Sequence, residues 1–396
     1  MQTLEFDKIK KALIAYTASE LGRVEVEELM PATDLTKVQQ WQEETEDGAK
    51  LLRLKGGMPI PKLQNIKPHL KRLEIGAMLN GIVIAQIGKV LRTTTEVTRF
   101  FDDLSEIGVE LFRLYELVAK LVTLHTLNQM IREAIDEDGH VMDDASQALK
   151  GIRTGMKRSE SNIREKLDSL IRGKNAQYLS DALVTMRNDR YVIPVKAEYR
   201  NHFGGVVHDQ SSTGQTLFIE PQSVVDLNNK LRQLQIEERQ EIDRILAELS
   251  NEIAPYGAEI LNNMFLLGKL DFIGAKAAYG KNIKATRPLV NEANDVRFIQ
   301  ARHPLIDEKQ AVANDILIGG DYQALVITGP NTGGKTITLK TLGLLQLMGQ
   351  SGLQLPVAEG SQMGIFTEVF ADIGDEQSIE QSLSTFSSHM SNIVSI

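Results

Sequence analysis

The chain has 396 residues, with 44 basic against 53 acidic side chains and a formal net charge of −9, which excludes a uniformly basic nucleic-acid coat but not a local basic face. There is no cysteine, so disulfides, thiolate metal sites and a cysteine nucleophile are excluded. Aromatic residues make up 5%, with Trp41 the single tryptophan, which argues against a stacking surface for single-stranded nucleic acid.

The start, Met1-Gln2-Thr3-Leu4-Glu5-Phe6-Asp7, is acidic and has no apolar segment. No signal peptide is expected there, and no run approaches the ~18 apolar residues that span a bilayer. The protein is therefore expected to be soluble and cytoplasmic, without a membrane partner. At roughly 150 residues per domain, two or three domains are expected. Up to about residue 290 the apolar spacing is mostly helical. Breaks fall at Lys55-Gly56-Gly57-Met58-Pro59-Ile60-Pro61, at Asp136-Glu137-Asp138-Gly139 and at Pro255-Tyr256-Gly257.

Two long helices follow the second break. Leu149, Ile152, Met156, Ile163, Leu167 and Leu170 keep a three-four rhythm, with Ser159 at the skipped position. Val224, Leu227, Leu231, Leu234, Ile242, Ile245, Leu249 and Ile253 do the same, interrupted by Glu238. Such narrow stripes suit a coiled-coil seam, and a plain helical bundle is the alternative. The second helix starts near Glu220-Pro221-Gln222-Ser223, with proline in its first turn, and breaks at Pro255. At 1.5 Å per residue it would be a rod of roughly 48 Å. Between the two rods Tyr191-Val192-Ile193-Pro194-Val195 reads as a short strand ended by proline. Gly204 to His208 and Thr216 to Glu220 read as two more strands, joined by a turn over Asp209 to Gly214. A long antiparallel arm with a small sheet at its tip is the economical picture.

After about residue 295 strands alternate with helices, the pattern of an α/β domain. Ala324-Leu325-Val326-Ile327-Thr328 is a continuous apolar run, as expected for a buried parallel strand. Gly329-Pro330-Asn331-Thr332-Gly333-Gly334-Lys335-Thr336 then matches G-x-x-x-x-G-K-[ST]. Its glycines let backbone N–H groups wrap phosphate oxygens, Lys335 would neutralise the β- and γ-phosphates, and the Thr336 hydroxyl would bind Mg²⁺. A helix from Lys335 to Met348 would turn its positive dipole end to the anion. Such a site also needs an apolar strand ending in Asp. Val369-Phe370-Ala371-Asp372 is a poor candidate, because it is short and Ile373-Gly374 separates it from Asp375-Glu376. The better expectation places that strand beyond Ile396.

The string Gly329-Pro330-Asn331-Thr332-Gly333-Gly334-Lys335-Thr336 resembles the MutS family of ATPases, a branch of the ABC-type NTPases. Ala301-Arg302-His303-Pro304-Leu305-Ile306 is similar to the family's R-H-P strand. Ile373 to Ser378, followed by Ser384-Thr385-Phe386 and Met390, is similar to its signature loop. Arg190 to Lys196, His208 to Ser212 and Leu4 to Ile9 resemble the second bacterial branch, the MutS-related endonucleases. The Phe-x-Glu wedge of mismatch-repair MutS is missing from the first 100 residues. It recurs only at Phe218-Ile219-Glu220 and Phe366-Thr367-Glu368, where a structural role is simpler. The family's adenine-stacking aromatic has no match, Val312-Ala313-Asn314-Asp315 standing there instead. The branch's small Smr nuclease domain is not in this sequence.

The resemblance implies a multidomain α/β protein. A helical core over residues 1–140 leads into a helical arm with a β tip over 141–260. Return helices over 261–294 lead into a truncated P-loop ATPase domain over 295–396. It also implies ATP and Mg²⁺ as cofactors and a homodimeric clamp, in which Ser384 of one subunit caps the γ-phosphate held by the other. Lys335 is the catalytic candidate, and branched DNA or ribosomes stalled by collision are the implied partners. A non-enzymatic binding module, with the phosphate loop as a switch, stays open. So does an arm-bearing ABC ATPase of the chromosome-maintenance kind, though its arms would separate the two ATPase halves. Without the second metal carboxylate this chain is expected to bind ATP weakly and hydrolyse it poorly. Lys150 to Lys174 holds eight Lys/Arg against three Asp/Glu, while Ile236 to Ser250 holds five acids against two arginines. The first could face phosphates or be a solvated helix face. Arg187, Arg190, Lys196 and Arg200 near the arm tip are the better nucleic-acid candidates. His208-Asp209 with Ser211 is not read as a triad, since a triad is spatial rather than sequential.

Overall fold

The structure is a computed structural model, and it describes residues 3–307, 309–322, 324–329 and 333–373. Its helices begin with α1 (Phe6–Ile14), α2 (Glu20–Glu27), α3 (Leu35–Lys55), α4 (Lys67–Glu74), α5 (Gly81–Glu106), α6 (Phe112–Val118), α7 (His125–Ala134) and α8 (Gln147–Ile171). Strands β1 (Thr185–Arg187) and β2 (Arg190–Lys196), helix α9 (Arg200–Phe203), and strands β3 (Val206–Gln210) and β4 (Thr216–Glu220) follow. After α10 (Val225–Ile253) and α11 (Gly257–Asn282) come β5 (Leu289–Val290), β6 (Val296–Ala301), β7 (Asn314–Ile318), α12 (Lys335–Gln350) and β8 (Gln362–Met363). The chain divides into two compact units. One comprises Met1–Lys67, Lys89–His125 and Ala258–Ile396, and the other Pro68–Gly88 and Thr126–Gly257.

In the second unit α8 and α10 lie against one another in opposite directions. Ser146 Oγ donates to Glu241 at 2.6 Å and Arg153 Nε to Glu238 at 2.7 Å, so early α8 meets late α10. Ser146 also caps α8, accepting from the Leu149 N–H at 3.0 Å. The apolar stripe is buried at Leu149, Ile163, Leu167, Leu231, Ile245 and Leu249. Both interruptions have a reason. Glu238 meets Arg153, and Ser159 is a small side chain that is buried in the stripe. Arg244 and the Ser146 hydroxyl together pull the Glu241 carboxyl down to about 2.

At the far end of these helices a four-stranded antiparallel sheet runs in the order β1-β2-β4-β3. Strand β1 is an addition to the sequence reading. It is three residues long and turns into β2 through Asn188 and Asp189, both at positive φ. Nor does Pro194 end β2, which continues to Lys196. Pro194 pairs with Phe218, and its carbonyl accepts from Ser180 N at 3.0 Å on the other side. Its missing N–H therefore faces away from β4, and the ladder loses nothing. The turn between β3 and β4 closes where Gly214 N meets Ser211 O at 2.8 Å. Gly205, at φ 88°, lets β3 pass Glu220, whose carbonyl would lie 2.0 Å from a Cβ there.

In the first unit the sheet runs β5-β8-β6-β7. Only β5 and β8 pair in parallel; β6 is antiparallel to both β7 and β8. Phe6, Ile9, Leu13, Phe298, Leu344 and Met348 are fully or nearly fully buried in its core. The expected strand over Ala324 to Thr328 is not one. It carries no strand geometry, and Leu325 and Val326 are 44% and 83% exposed. A strand is made by its neighbours, and among the described residues none pairs with this run. Its composition alone could not bury it.

Candidate functional site

Lys335, the lysine of the G-x-x-x-x-G-K-[ST] string, stands at the head of a helix, as its spacing requires. Helix α12 begins at Lys335, preceded by Gly334 in the left-handed region at φ 83°, a conformation that glycine enters without a Cβ penalty. The first intrahelical bond runs from Thr338 N to Gly334 O at 3.0 Å. The N–H groups ahead of it therefore point out of the helix end, where an anion is favoured.

The side chains at this end are at liberty. Among the described residues no hydrogen bond or ion pair holds the Lys335 ammonium, which is half-buried. Helix α12 has three threonines. Thr338 Oγ1 donates back to Gly334 O at 3.0 Å, and Thr341 Oγ1 to Ile337 O at 2.7 Å. Of the three, Thr336 is exposed and its hydroxyl has no partner among the described residues. A free ammonium, a free hydroxyl and outward N–H groups on one helix turn are the donor set that a polyphosphate and its magnesium ion need. By contrast Lys340, one turn further on, is near Glu5 at 3.8 Å.

The far end of α12 is anchored by side chains of α3. Gln42 Nε2 donates to Gly349 O and Leu353 O, both at 2.9 Å, and Thr45 Oγ1 to Gly352 O at 2.6 Å. Gln346 Nε2 reaches Gly364 O at 2.7 Å, and Gln350 Nε2 reaches Ala32 O and Phe366 O at 2.7 and 2.9 Å. The bond to Gly349 O satisfies a carbonyl that the helix C-terminus would leave open, and the others satisfy carbonyls of the segments around it. They also tie the phosphate-loop helix to its surroundings. The sequence reading missed this anchor. Its one visible signal was the i,i+4 pair Gln346 and Gln350 inside an apolar helix.

Gly329, Gly333, Gly334, Lys335 and Thr336 lie within the described residues. Pro330, Asn331 and Thr332 lie outside them, as do Ser384 and the signature-like loop from Gly374 onward. Asp372 lines an apolar groove of about 360 Å³ with Leu339, Leu342, Phe366 and Phe370. His303 is buried: its Nδ1 accepts from Leu305 N at 3.3 Å, and burial pushes its imidazole below the ordinary value. That geometry is a loop brace. Among the described residues no group of three or more His, Cys, Asp or Glu is arranged to hold a metal ion. No helix among them is long and apolar enough to cross a membrane.

The four arm-tip cations separate into two kinds. Arg187 lies over the Phe218 ring at 4.1 Å and pairs with Asp209 at 3.1 Å, while Arg190 pairs with buried Glu220 at 3.0 Å. Both are engaged within the sheet. Lys196 Nζ donates to Gln177 O at 2.9 Å. Arg200 is exposed and has no partner among the described residues, and the same holds for Arg158, Lys166 and Lys174 from the basic interval. The few aromatics are not scattered. Tyr178 packs on His202 at 3.9 Å and on Tyr199 at 4.9 Å, between Lys174 and Arg200 in sequence. This gathers rings in a segment whose sequence neighbours are Lys174 and Arg200, which the low aromatic fraction did not lead one to expect. His208 Nε2 meets Glu220 at 2.6 Å and Asp209 meets Arg187, so no triad forms. Phe218 and Glu220 are likewise engaged inside the sheet, as the structural reading of that Phe-x-Glu string has it.

A family model described as MutS domain V matches residues 325–396, a stretch that starts just before the phosphate loop. Over all 396 residues the chain is 65% identical to the Endonuclease MutS2 of Enterococcus faecalis and 59% identical to that of Latilactobacillus sakei. It is 58% identical to the Endonuclease MutS2 of Listeria monocytogenes over 394 residues, 99% of this chain. Each alignment covers 50% of the relative, so the chain spans about half the length of the curated relatives it matches.

Proposed function

From the premise that the chain belongs to the MutS family, we propose that it binds ATP with Mg²⁺ through residues 329–336 and works as an ATP-dependent clamp on nucleic acid. The observation that carries this reading is the pair of free groups on the first turn of α12, the Lys335 ammonium and the Thr336 hydroxyl. The bound nucleotide supplies the phosphoanhydride chemistry and the metal the neutralising charge. The chain's own part is to bind and orient: N–H groups of the glycine loop and helix end hold phosphate oxygens, Lys335 offsets their charge, and Thr336 faces the metal. In this reading Ser384 of a second copy completes the site, so that ATP closes a homodimer.

The paired helices α8 and α10 with their β tip are the arm of this clamp. Arg200, Lys174, Lys166 and Arg158 are its phosphate contacts, since their charges are not engaged internally. Lys196 is a further contact, while Arg187 and Arg190 hold the tip together. Branched DNA and stalled ribosomes are the substrates proposed. The endonuclease activity in the relatives' name is proposed for the whole protein, and no residue described is assigned to it.

Binding of the chain to a four-way DNA junction and to ribosomes, measured separately with and without a non-hydrolysable ATP analogue and Mg²⁺, tests the reading. The analogue is expected to shift the affinity for one of them at least about tenfold, a coupling of roughly 1.4 kcal/mol. Identical binding curves for both would leave a passive module.

A further inference from the structure

A cavity of about 290 Å³ opens in the first unit, beyond the C-terminal end of α12 and away from the phosphate loop. Helix α2 contributes Glu25, α3 contributes Trp41 and Glu44, and α11 contributes Lys269, Phe272 and Lys276. Lys276 is 1% exposed. Its ammonium sits 4.8 Å from the centre of the Phe272 ring, and no hydrogen bond or ion pair engages it among the described residues. A buried charge is normally paired.

The acids nearby do not fill that role. Glu44 is 2% exposed, but one of its oxygens already accepts from both Lys269 at 3.0 Å and Gln40 at 2.9 Å. Burial holds the Glu25 carboxyl above the usual carboxylate range. Burial also pushes the Lys276 ammonium down to about 8, and a bound anion would offset that cost. The backbone also comes close to the ammonium at the same place. Gly352, at φ 74°, approaches so closely that a Cβ would stand 3.3 Å from Lys276 Nζ and 2.5 Å from Trp41 Cβ.

We propose that this cavity is a binding site for a small molecule with one carboxylate and an apolar body, the carboxylate resting on Lys276 and the body between Trp41 and Phe272. A single negative charge suits the site better than a phosphate dianion, because Glu25, Glu28 and Glu44 line it together with Lys37, Lys269 and Lys276, and the lining has no excess of positive charge to hold a second one. The aromatic walls match the apolar body, as small-molecule pockets do. The site is separate from the phosphate loop and does not depend on its reading.

Trp41 is the only tryptophan of the chain, so its emission reports occupancy without labelling. Phenylacetate is the probe. Titrated into the full 396-residue chain at neutral pH, it is expected to change Trp41 emission saturably, with a midpoint on the order of 1 mM for so small a ligand. Lys276→Met keeps the length of the side chain without its charge and is expected to weaken that response at least about tenfold. Inorganic phosphate is expected to give less than the phenylacetate response. Should Lys276→Met fail to fold, the unmodified chain still decides through 2-phenylethylamine, which carries the same ring with the opposite charge and should not bind. No saturable change with phenylacetate, an equal response in folded Lys276→Met, tighter binding of phosphate, or equal binding of the amine would each overturn the proposal.

Discussion

Lys335→Ala is expected to weaken binding of ATP with Mg²⁺ at least about a hundredfold, or roughly 2.7 kcal/mol. The ammonium has no partner among the described residues, so its charge is available to the β- and γ-phosphates. The substitution removes nothing that holds the fold, and the chain should melt as before. Some affinity should survive, because the N–H groups at the head of α12 remain. Lys340→Ala is the matched control: one turn along the same helix, its ammonium already lies 3.8 Å from Glu5. A fluorescent ATP analogue would measure both variants. Equal losses in the two, or no loss in Lys335→Ala, would mean that the loop does not hold the nucleotide in this way.

Glu220→Ala is expected to destabilise the second unit by about 3–5 kcal/mol, the usual cost of breaking a buried pair. Glu220 is 1% exposed. One oxygen accepts from Arg190 at 3.0 Å and from Asn228 Nδ2 at 2.8 Å, and the other meets His208 Nε2 at 2.6 Å. Asn228 in turn donates to Tyr191 O at 3.1 Å, which joins α10 to β2. Removing the carboxylate leaves a guanidinium, an imidazole and an amide without their acceptor in one stroke. Glu220→Gln should cost less, since it keeps an acceptor. The chain has two units, and a single melting curve would mix them. Amide hydrogen exchange in β2 and β4 reads the effect where it occurs. Protection reduced by less than about tenfold there would contradict this account.

The helices were legible where periodicity and punctuation agreed. Leu149, Ile163 and Leu167 in one stripe and Leu231, Ile245, Leu249 and Ile253 in the other are buried as their spacing implies, while Ile152, Met156, Leu234 and Ile242 are half-buried, and Gly56 closes α3 at the break it marks. Even the interruptions carried meaning, although Glu238 could be understood only once Arg153 was opposite it. What failed depended on partners far away in sequence. Pro194 reads as a strand breaker until the side facing β4 is known. Ala324 to Thr328 reads as a core strand, yet no described neighbour covers it. Charge was the weakest guide. Arg187 and Arg190 look like free contacts in one dimension and are paired with Asp209 and Glu220 in three, whereas Arg200 has no partner among the described residues. The glycine-rich string is the most specific in the sequence, because each residue type in it has a separate physical task, and α12 starts at its lysine. Lys276 was invisible, since an unpaired charge is a property of surroundings and not of composition.

The central claim is that the loop at Gly329 to Thr336 holds a triphosphate together with its metal. Calorimetric titration of the chain with ATP, with and without Mg²⁺ and in Thr336→Val, tests it most directly. One saturable site per chain is predicted, with tighter binding when Mg²⁺ is present and most of that gain lost in Thr336→Val. Heat indistinguishable from dilution, or binding indifferent to both the metal and Thr336, would contradict it.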